Sequence, residues 1–131
     1  MMRAFPDFII RAVPPRAKDL LRRTSWYRRR ARRTELWKLR CADLSKINFG
    51  CGTHLLPGWT NTDGGDARYY APPPLPEIVK LDVWEFLAHV PDGVARFVTS
   101  EQFFEHFTRQ DGHRLLGAWY RILAAGGILR I

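Results

Sequence analysis

Three short stretches of the chain hold residue types that could together bind a nucleoside. Ile47-Asn48-Phe49-Gly50-Cys51-Gly52 is an apolar run that ends in a Gly-x-Gly turn. Glycine accepts positive φ and, having no side chain, lets a ligand approach the backbone closely. Asp63 closes the run Thr60-Asn61-Thr62, and Asp82 follows Ile78-Val79-Lys80-Leu81. A carboxylate at Asp63 can accept two hydrogen bonds from ribose hydroxyls, and one at Asp82 can receive an adenine amino group. Each feature also has a plainer use. Gly-x-Gly serves as a tight turn, Asp63 as a turn cap before Gly64-Gly65, and Asp82 as an N-cap for the helix that follows. Their succession at the ends of three consecutive runs is what suggests a binding edge, because open α/β sheets take ligands at the carboxyl ends of their strands.

The spacing argues against phosphates on that ligand. A dinucleotide site has a third glycine, G-x-G-x-x-G, so that helix and strand pack closely around a pyrophosphate. Here that position is Leu55. Asp63 stands thirteen residues after Gly50, whereas the dinucleotide pattern places its acid roughly twenty residues on. A P-loop lysine is also missing. Ribose and adenine without phosphates fit the pattern better than a nicotinamide dinucleotide.

Elements that would position these residues follow from the hydropathy pattern. It predicts strands at 47–50, 60–63, 78–82, 96–100 and 127–131. A proline-rich loop lies at Ala71–Pro76, a short helix near Val83–His89, and a longer helix from about Asp111 to Leu123. In the longer helix Leu115, Leu116, Trp119, Tyr120 and Leu123 share a face, with Arg114 and Arg121 outside it. Gly126 and Gly127 are expected to stop that helix. Strands alternating with helical connections predict a parallel sheet covered on both faces. The last residue, Ile131, falls inside an apparent buried strand, so the expectation is a chain truncated within its fold.

Charge divides the sequence at the same place as the pattern. Residues 1–46 hold fourteen Lys and Arg against four acids, and residues 47–131 hold seven against nine. The net charge of +8 over 131 residues is thus a basic leader on a nearly neutral remainder. Residues 1–46 are read as a basic, partly helical extension and 47–131 as the binding domain. Within the leader, residues 16–33 favour a helix that ends in the Arg28–Arg33 cluster, and 34–46 a second short helix or connector. The chain has no apolar run long enough to span a membrane, and Met1 to Pro14 lacks a long apolar region and a small-residue cleavage site, so secretion is not expected. Its two cysteines, Cys41 and Cys51, make no disulfide framework. A cytoplasmic location fits.

The stretch INFGCGTHLLPGWTNTD, from Ile47 to Asp63, resembles the opening of type 11 methyltransferases within the class I S-adenosylmethionine-dependent group. In that group a Gly-Cys-Gly turn, a Leu-Pro-Gly-Trp segment and an Asp come in this order. FVTSEQFFEHFTRQDGHRLLGAWYRILAAGGILRI, from Phe97 to Ile131, is similar to the same group's fourth strand, Ser-Glu and Glu-His pairs, helix and fifth strand. The resemblance covers residues 47–131 and implies a Rossmann-like, doubly wound, mostly parallel α/β sheet that lacks its C-terminal strands. It implies S-adenosyl-L-methionine as cofactor. By the same resemblance Gly50, Cys51 and Gly52 would line the methionine part. Asp63 would bind the ribose, Asp82 and Val83 would bracket the adenine, and Ser100 and Glu101 would face the sulfonium. Two positions depart from the group: Asn48 stands for the aspartate common in class I enzymes, and Ala124-Ala125 for a frequent Lys-Pro.

Methyl transfer from a sulfonium is an in-line displacement with a good leaving group already in place. The protein's main contribution is then orientation, worth up to roughly 7–11 kcal/mol. A general base matters only for acceptors that lose a proton early, and Glu101, Glu105 and His106 are the candidates. His106 has the plainer reading of a helix anchor, and Glu105 of a helix surface residue. No catalytic residue is assigned, and no metal site is expected. The Asn/Asp-Pro-Pro-aromatic motif of nucleic-acid amino methyltransferases is absent, with Ser100-Glu101-Gln102-Phe103 in its place, so the expected acceptor is a small molecule or saccharide. Two other classes stay open. A nicotinamide-dependent oxidoreductase is opposed by the glycine spacing. A basic module could bind RNA or an anionic membrane surface through Arg28–Arg33 with Trp26, Tyr27 and Trp37 nearby, although a solvated helix explains the cluster equally. No obligate protein partner is inferred.

Overall fold

The computed structural model describes residues 25–64 and 77–131, apart from the side chains of Trp26 and Tyr27. In order they form helix α1 (Ser25–Cys41), strand β1 (Lys46–Phe49), strand β2 (Thr60–Thr62), helix α2 (Val83–Ala88) and strand β3 (Ala95–Ser100). A 3-10 turn at Phe104–His106, helix α3 (Arg109–Ile122) and strand β4 (Leu123–Arg130) follow. The leader positions 16–24 and the proline-rich loop Ala71–Pro76 lie outside the described residues. From Ser25 to Cys41 there is a single continuous helix, where the pattern suggested two pieces meeting near residue 34. The compact unit that holds the sheet spans Glu35–Ile131. Residues 35–46 therefore pack with the sheet although their charge groups them with the leader.

The sheet has four strands in the order β2-β1-β3-β4, and every pair is parallel. The α/β expectation therefore holds. Chain direction reverses at β1: the connection to β2 runs to one side and the next strand, β3, is laid on the other. Such a switch leaves a crevice outside the carboxyl ends of the two central strands. Below it Ile47, Phe49 and Val98 are almost wholly buried. Phe49 meets the ring of Phe86 from α2 at 5.3 Å edge-on, and that of Trp119 from α3 at 5.5 Å. Both helices therefore cover the same face of β1. On the opposite face Trp59, from the loop before β2, stands 6.3 Å from Phe97.

Helix α3 starts on Thr108, whose hydroxyl accepts from the Asp111 N–H at 3.1 Å and donates to its carboxylate at 2.8 Å. Its buried stripe is Gly112, Leu115, Trp119 and Ile122. That stripe is rotated from the expected face, and Tyr120 is 82% exposed.

Two elements differ from expectation. The segment at 78–82 is not a full strand: only Val79 bridges, in parallel, to Thr62. Its outer polar groups are taken by side chains of α1 instead of another strand. Lys38 Nζ donates to the Ile78 carbonyl at 3.1 Å, and the Lys80 N–H donates to Glu35 at 2.7 Å. Pairing of that edge therefore stops. At the other side, Gly126 and Gly127 do not end α3. The helix stops at Ile122, capped by Leu123 in extended conformation, and both glycines lie inside β4. Ala95 pairs with Leu123 but Phe97 pairs with Ile128, so the register shifts within β4, where Gly126 takes φ +75°. No helix among the described residues is long and apolar enough to cross a membrane.

Candidate functional site

A cleft of about 870 Å³ opens at the carboxyl ends of the strands. Its lining takes Gly50, Cys51 and Gly52 from the end of β1, Asp63 from β2, Asp82 and Val83 from the start of α2, and Glu101 from β3. Three segments read separately from the sequence thus meet at one opening.

The Gly-x-Gly turn is held by hydrogen bonds across β2. Gly52 N–H donates to Asp63 Oδ2 at 2.8 Å, and Cys51 N–H donates to the Thr62 carbonyl at 3.2 Å. Gly50 and Gly52 have φ of +64° and +51°. A Cβ at Gly50 would stand 2.4 Å from the Phe103 ring, so this position requires glycine for conformation and for space. Beyond the turn, the loop is pinned by two buried amides that face each other in the β1–β2 register. Asn48 Nδ2 donates to Asn61 Oδ1 at 2.9 Å and to the His54 carbonyl at 3.1 Å. Asn61 in turn accepts from the Leu56 N–H at 3.0 Å and donates to the Leu56 and Trp59 carbonyls, each at 3.1 Å. Asn48 is therefore a fixed part of the loop's framework.

Asp82 takes the N-cap role and also lies on the cleft. Its Oδ1 accepts from the Trp84 N–H at 2.9 Å, capping α2, while the residue remains exposed on the cleft. Cys51 is buried, and that burial, with the Asp63 charge beside it, pushes its thiol up to about 12. Little of it is thiolate near neutral pH, the form that acts as a nucleophile. Lys80 is held below its ordinary value, chiefly by burial, with the charges of Asp63 and Glu35 opposing the shift.

Ser100 is set apart from the cleft. Strand alternation turns it to the Phe49 side. There it is 2% exposed, with a hydroxyl that has no hydrogen-bond partner among the described residues. Thr99, Gln102 and Phe103 line the opening instead. Gln102 is the one described non-glycine residue with positive φ, at +51°. Such conformations concentrate at functional sites. His106 is exposed and lines the cleft, so the helix-anchor reading does not describe it; Glu105 is exposed away from the lining.

Sequence reasoning missed the aromatic wall. Phe103 and Phe107 line the cleft, with rings 5.0 Å apart, and Trp84 stands 6.1 Å behind Phe107. Arg114 lies over Trp84 at 4.2 Å, a cation–π contact. The Phe-Phe-x-x-Phe spacing was visible, but only the 3-10 turn brings the first and last rings to one wall. Arg130, from the end of β4, was also missed. Among the described residues no cluster of three or more His, Cys, Asp or Glu could hold a metal ion.

Comparison of the chain with protein-family models, with curated proteins and with solved structures finds no match in any of the three.

Proposed function

We propose that the cleft binds S-adenosyl-L-methionine and that the chain belongs to the class I, Rossmann-like methyltransferases. The observation that carries this reading is the meeting of Gly50–Gly52, Asp63 and Asp82 at one opening whose described lining holds three carboxylates, Asp63, Asp82 and Glu101, against one guanidinium, Arg130. Excess negative charge disfavours a pyrophosphate and favours a ligand with sulfonium and ammonium groups. The aromatic wall of Phe103 and Phe107 suits a flat ring.

When bound, the cofactor supplies an activated methyl group on sulfur. The chain's part is to hold and orient. Asp63, fixed by the Gly52 N–H, presents its carboxylate to a ribose, and Asp82 and Val83 border the base. Glu101 and His106 stand at the rim, where either can hold an acceptor proton. The polar rim of Glu101, Gln102, His106 and Arg130 fits a small hydroxylated acceptor such as a saccharide.

Calorimetric titration of S-adenosylhomocysteine into the whole chain tests the reading. Micromolar binding is expected, with none for NAD. Asp63→Asn, which keeps an oxygen for the Gly52 N–H, is expected to weaken binding at least tenfold. A folded chain that binds neither ligand, or that prefers NAD, sinks the proposal.

A further inference from the structure

A second groove, of about 490 Å³, lies between the end of α1 and the amino end of β2 and shares no residue with the cleft. Its walls all belong to the compact unit Glu35–Ile131, and hydrogen bonds pin them. Thr60 Oγ1 donates to the Asp43 carbonyl at 2.7 Å, tying the residues after α1 to β2. Lys38 Nζ donates to the Ile78 carbonyl at 3.1 Å, tying α1 to the segment that holds Glu77. Two tryptophans line the groove, Trp37 from α1 and Trp59 from the loop before β2. Trp37 is 64% exposed. Beside Trp59, Gly58 has nothing within 4 Å of the place a Cβ would take, so the space there is open.

The charge of this groove is negative, although the chain as a whole carries +8. Asp43 and Glu77 supply exposed carboxylates. The Ser45 N–H donates to Asp43 Oδ1 at 2.9 Å and holds that carboxyl below the usual range. Lys38, the one cation in the lining, is turned to Glu35 at 2.9 Å and to the Ile78 carbonyl. Helix α1 also ends here: its last residue, Cys41, lines the groove, and a helix C-terminus carries partial negative charge. Indole faces, two carboxylates and a helix end thus all favour a cation. A hard metal ion wants more oxygen ligands than two carboxylates give. A guanidinium needs acceptors for its N–H groups, and one Asp43 oxygen is already engaged. A quaternary ammonium needs only negative charge and aromatic faces, of which tryptophan's is the best.

We propose that the groove between α1 and β2 binds a quaternary ammonium group. The proposal is independent of the ligand assigned to the cleft. The test titrates choline into the isotopically labelled whole chain, with sodium chloride at matched ionic strength as the blank. The readout is the indole N–H signals of the tryptophans, assigned by Trp→Phe variants. Trp37 and Trp59 should shift together and saturate at millimolar choline, while Trp84, behind the aromatic wall of the cleft, stays in place. The neutral isostere of choline, with a tert-butyl group for the trimethylammonium, should bind at least tenfold more weakly. Glu77→Gln should weaken choline binding at least threefold. Trp37→Leu, which keeps a good helix former at an exposed position, should weaken it at least tenfold with the urea midpoint unchanged. Equal binding of choline and its isostere would overturn the proposal. So would shifts confined to Trp84, or none at Trp37 and Trp59 in a folded chain. Tighter binding of arginine amide, or of a neutral disaccharide, would assign the groove to that ligand and refute the quaternary ammonium reading.

Discussion

The two ends of the sheet are built differently. At the amino ends of the strands the chain is tied to itself. Thr60 Oγ1 donates to the Asp43 carbonyl at 2.7 Å, and the Ser45 carbonyl accepts from the Arg96 and Phe97 N–H groups at 2.8 and 3.1 Å. The Arg121 guanidinium closes the loop before β3, donating to the Leu87 and Val90 carbonyls and pairing with Asp92. At the carboxyl ends Gly50 and Gly52 take the positive φ that glycine allows, Gln102 is strained there, and carboxylates face an open cleft. One end uses these polar groups only to satisfy the chain, while the other also lines an open cleft with its own. Stability and binding should therefore be separable by mutation.

The largest effect is expected where the two demands meet. Gly50→Ala forces a left-handed alanine and drives a methyl into Phe103. It should lower unfolding stability by about 2–4 kcal/mol and abolish cleft binding. Gly52→Ala, with nothing within 4 Å of the added carbon, should cost only the backbone part, about 1–2 kcal/mol. Urea denaturation of both variants checks this, and equal losses would remove Phe103 from the account.

Arg121→Met belongs to the other end. It leaves two carbonyls without their charged donor and should cost about 2 kcal/mol in the same assay, with ligand affinity unchanged. A variant of normal stability that fails to bind would reverse the division proposed between the two ends.

A smaller effect is expected at Cys51. Its folded-state value, about 12, lies above the ordinary 9.0. The stability this represents is complete below pH 9 and lost as pH rises from there toward 12. Cys51→Ala should therefore flatten the alkaline fall in urea midpoint. In the parent at pH 8, iodoacetamide should label exposed Cys41 well before buried Cys51, as peptide mapping can determine.

Much of the cleft end was legible because its residues sit at the ends of short runs, where pattern and turn chemistry agree. Gly50–Gly52, Asp63 and Asp82 needed only the rule that parallel strands present their carboxyl ends together. What escaped depends on contacts distant in sequence. The third strand shrinks to one bridge at Val79 because Glu35 and Lys38, on a helix some forty residues earlier, take the polar groups beside it. The Asn48–Asn61 pair appears only once β1 and β2 are set in register. β4 begins at Leu123 with no loop after α3 because Ile122-Leu123-Ala124-Ala125 is apolar throughout and has no period to mark the change. Ser100 was assigned by position in a motif, whereas the alternation of β3 turns it inward and leaves Thr99 on the cleft.

Amide spectra of the isotopically labelled chain, recorded through a titration with S-adenosylhomocysteine, would locate any ligand on the fold. If the cleft is the binding site, Gly50, Gly52, Asp63 and Gln102 shift together and saturate at one ligand per chain, while Ser45, Gly93 and Arg96 stay in place. Shifts confined to the amino ends of the strands, or no shifts at millimolar ligand in a folded chain, would contradict it.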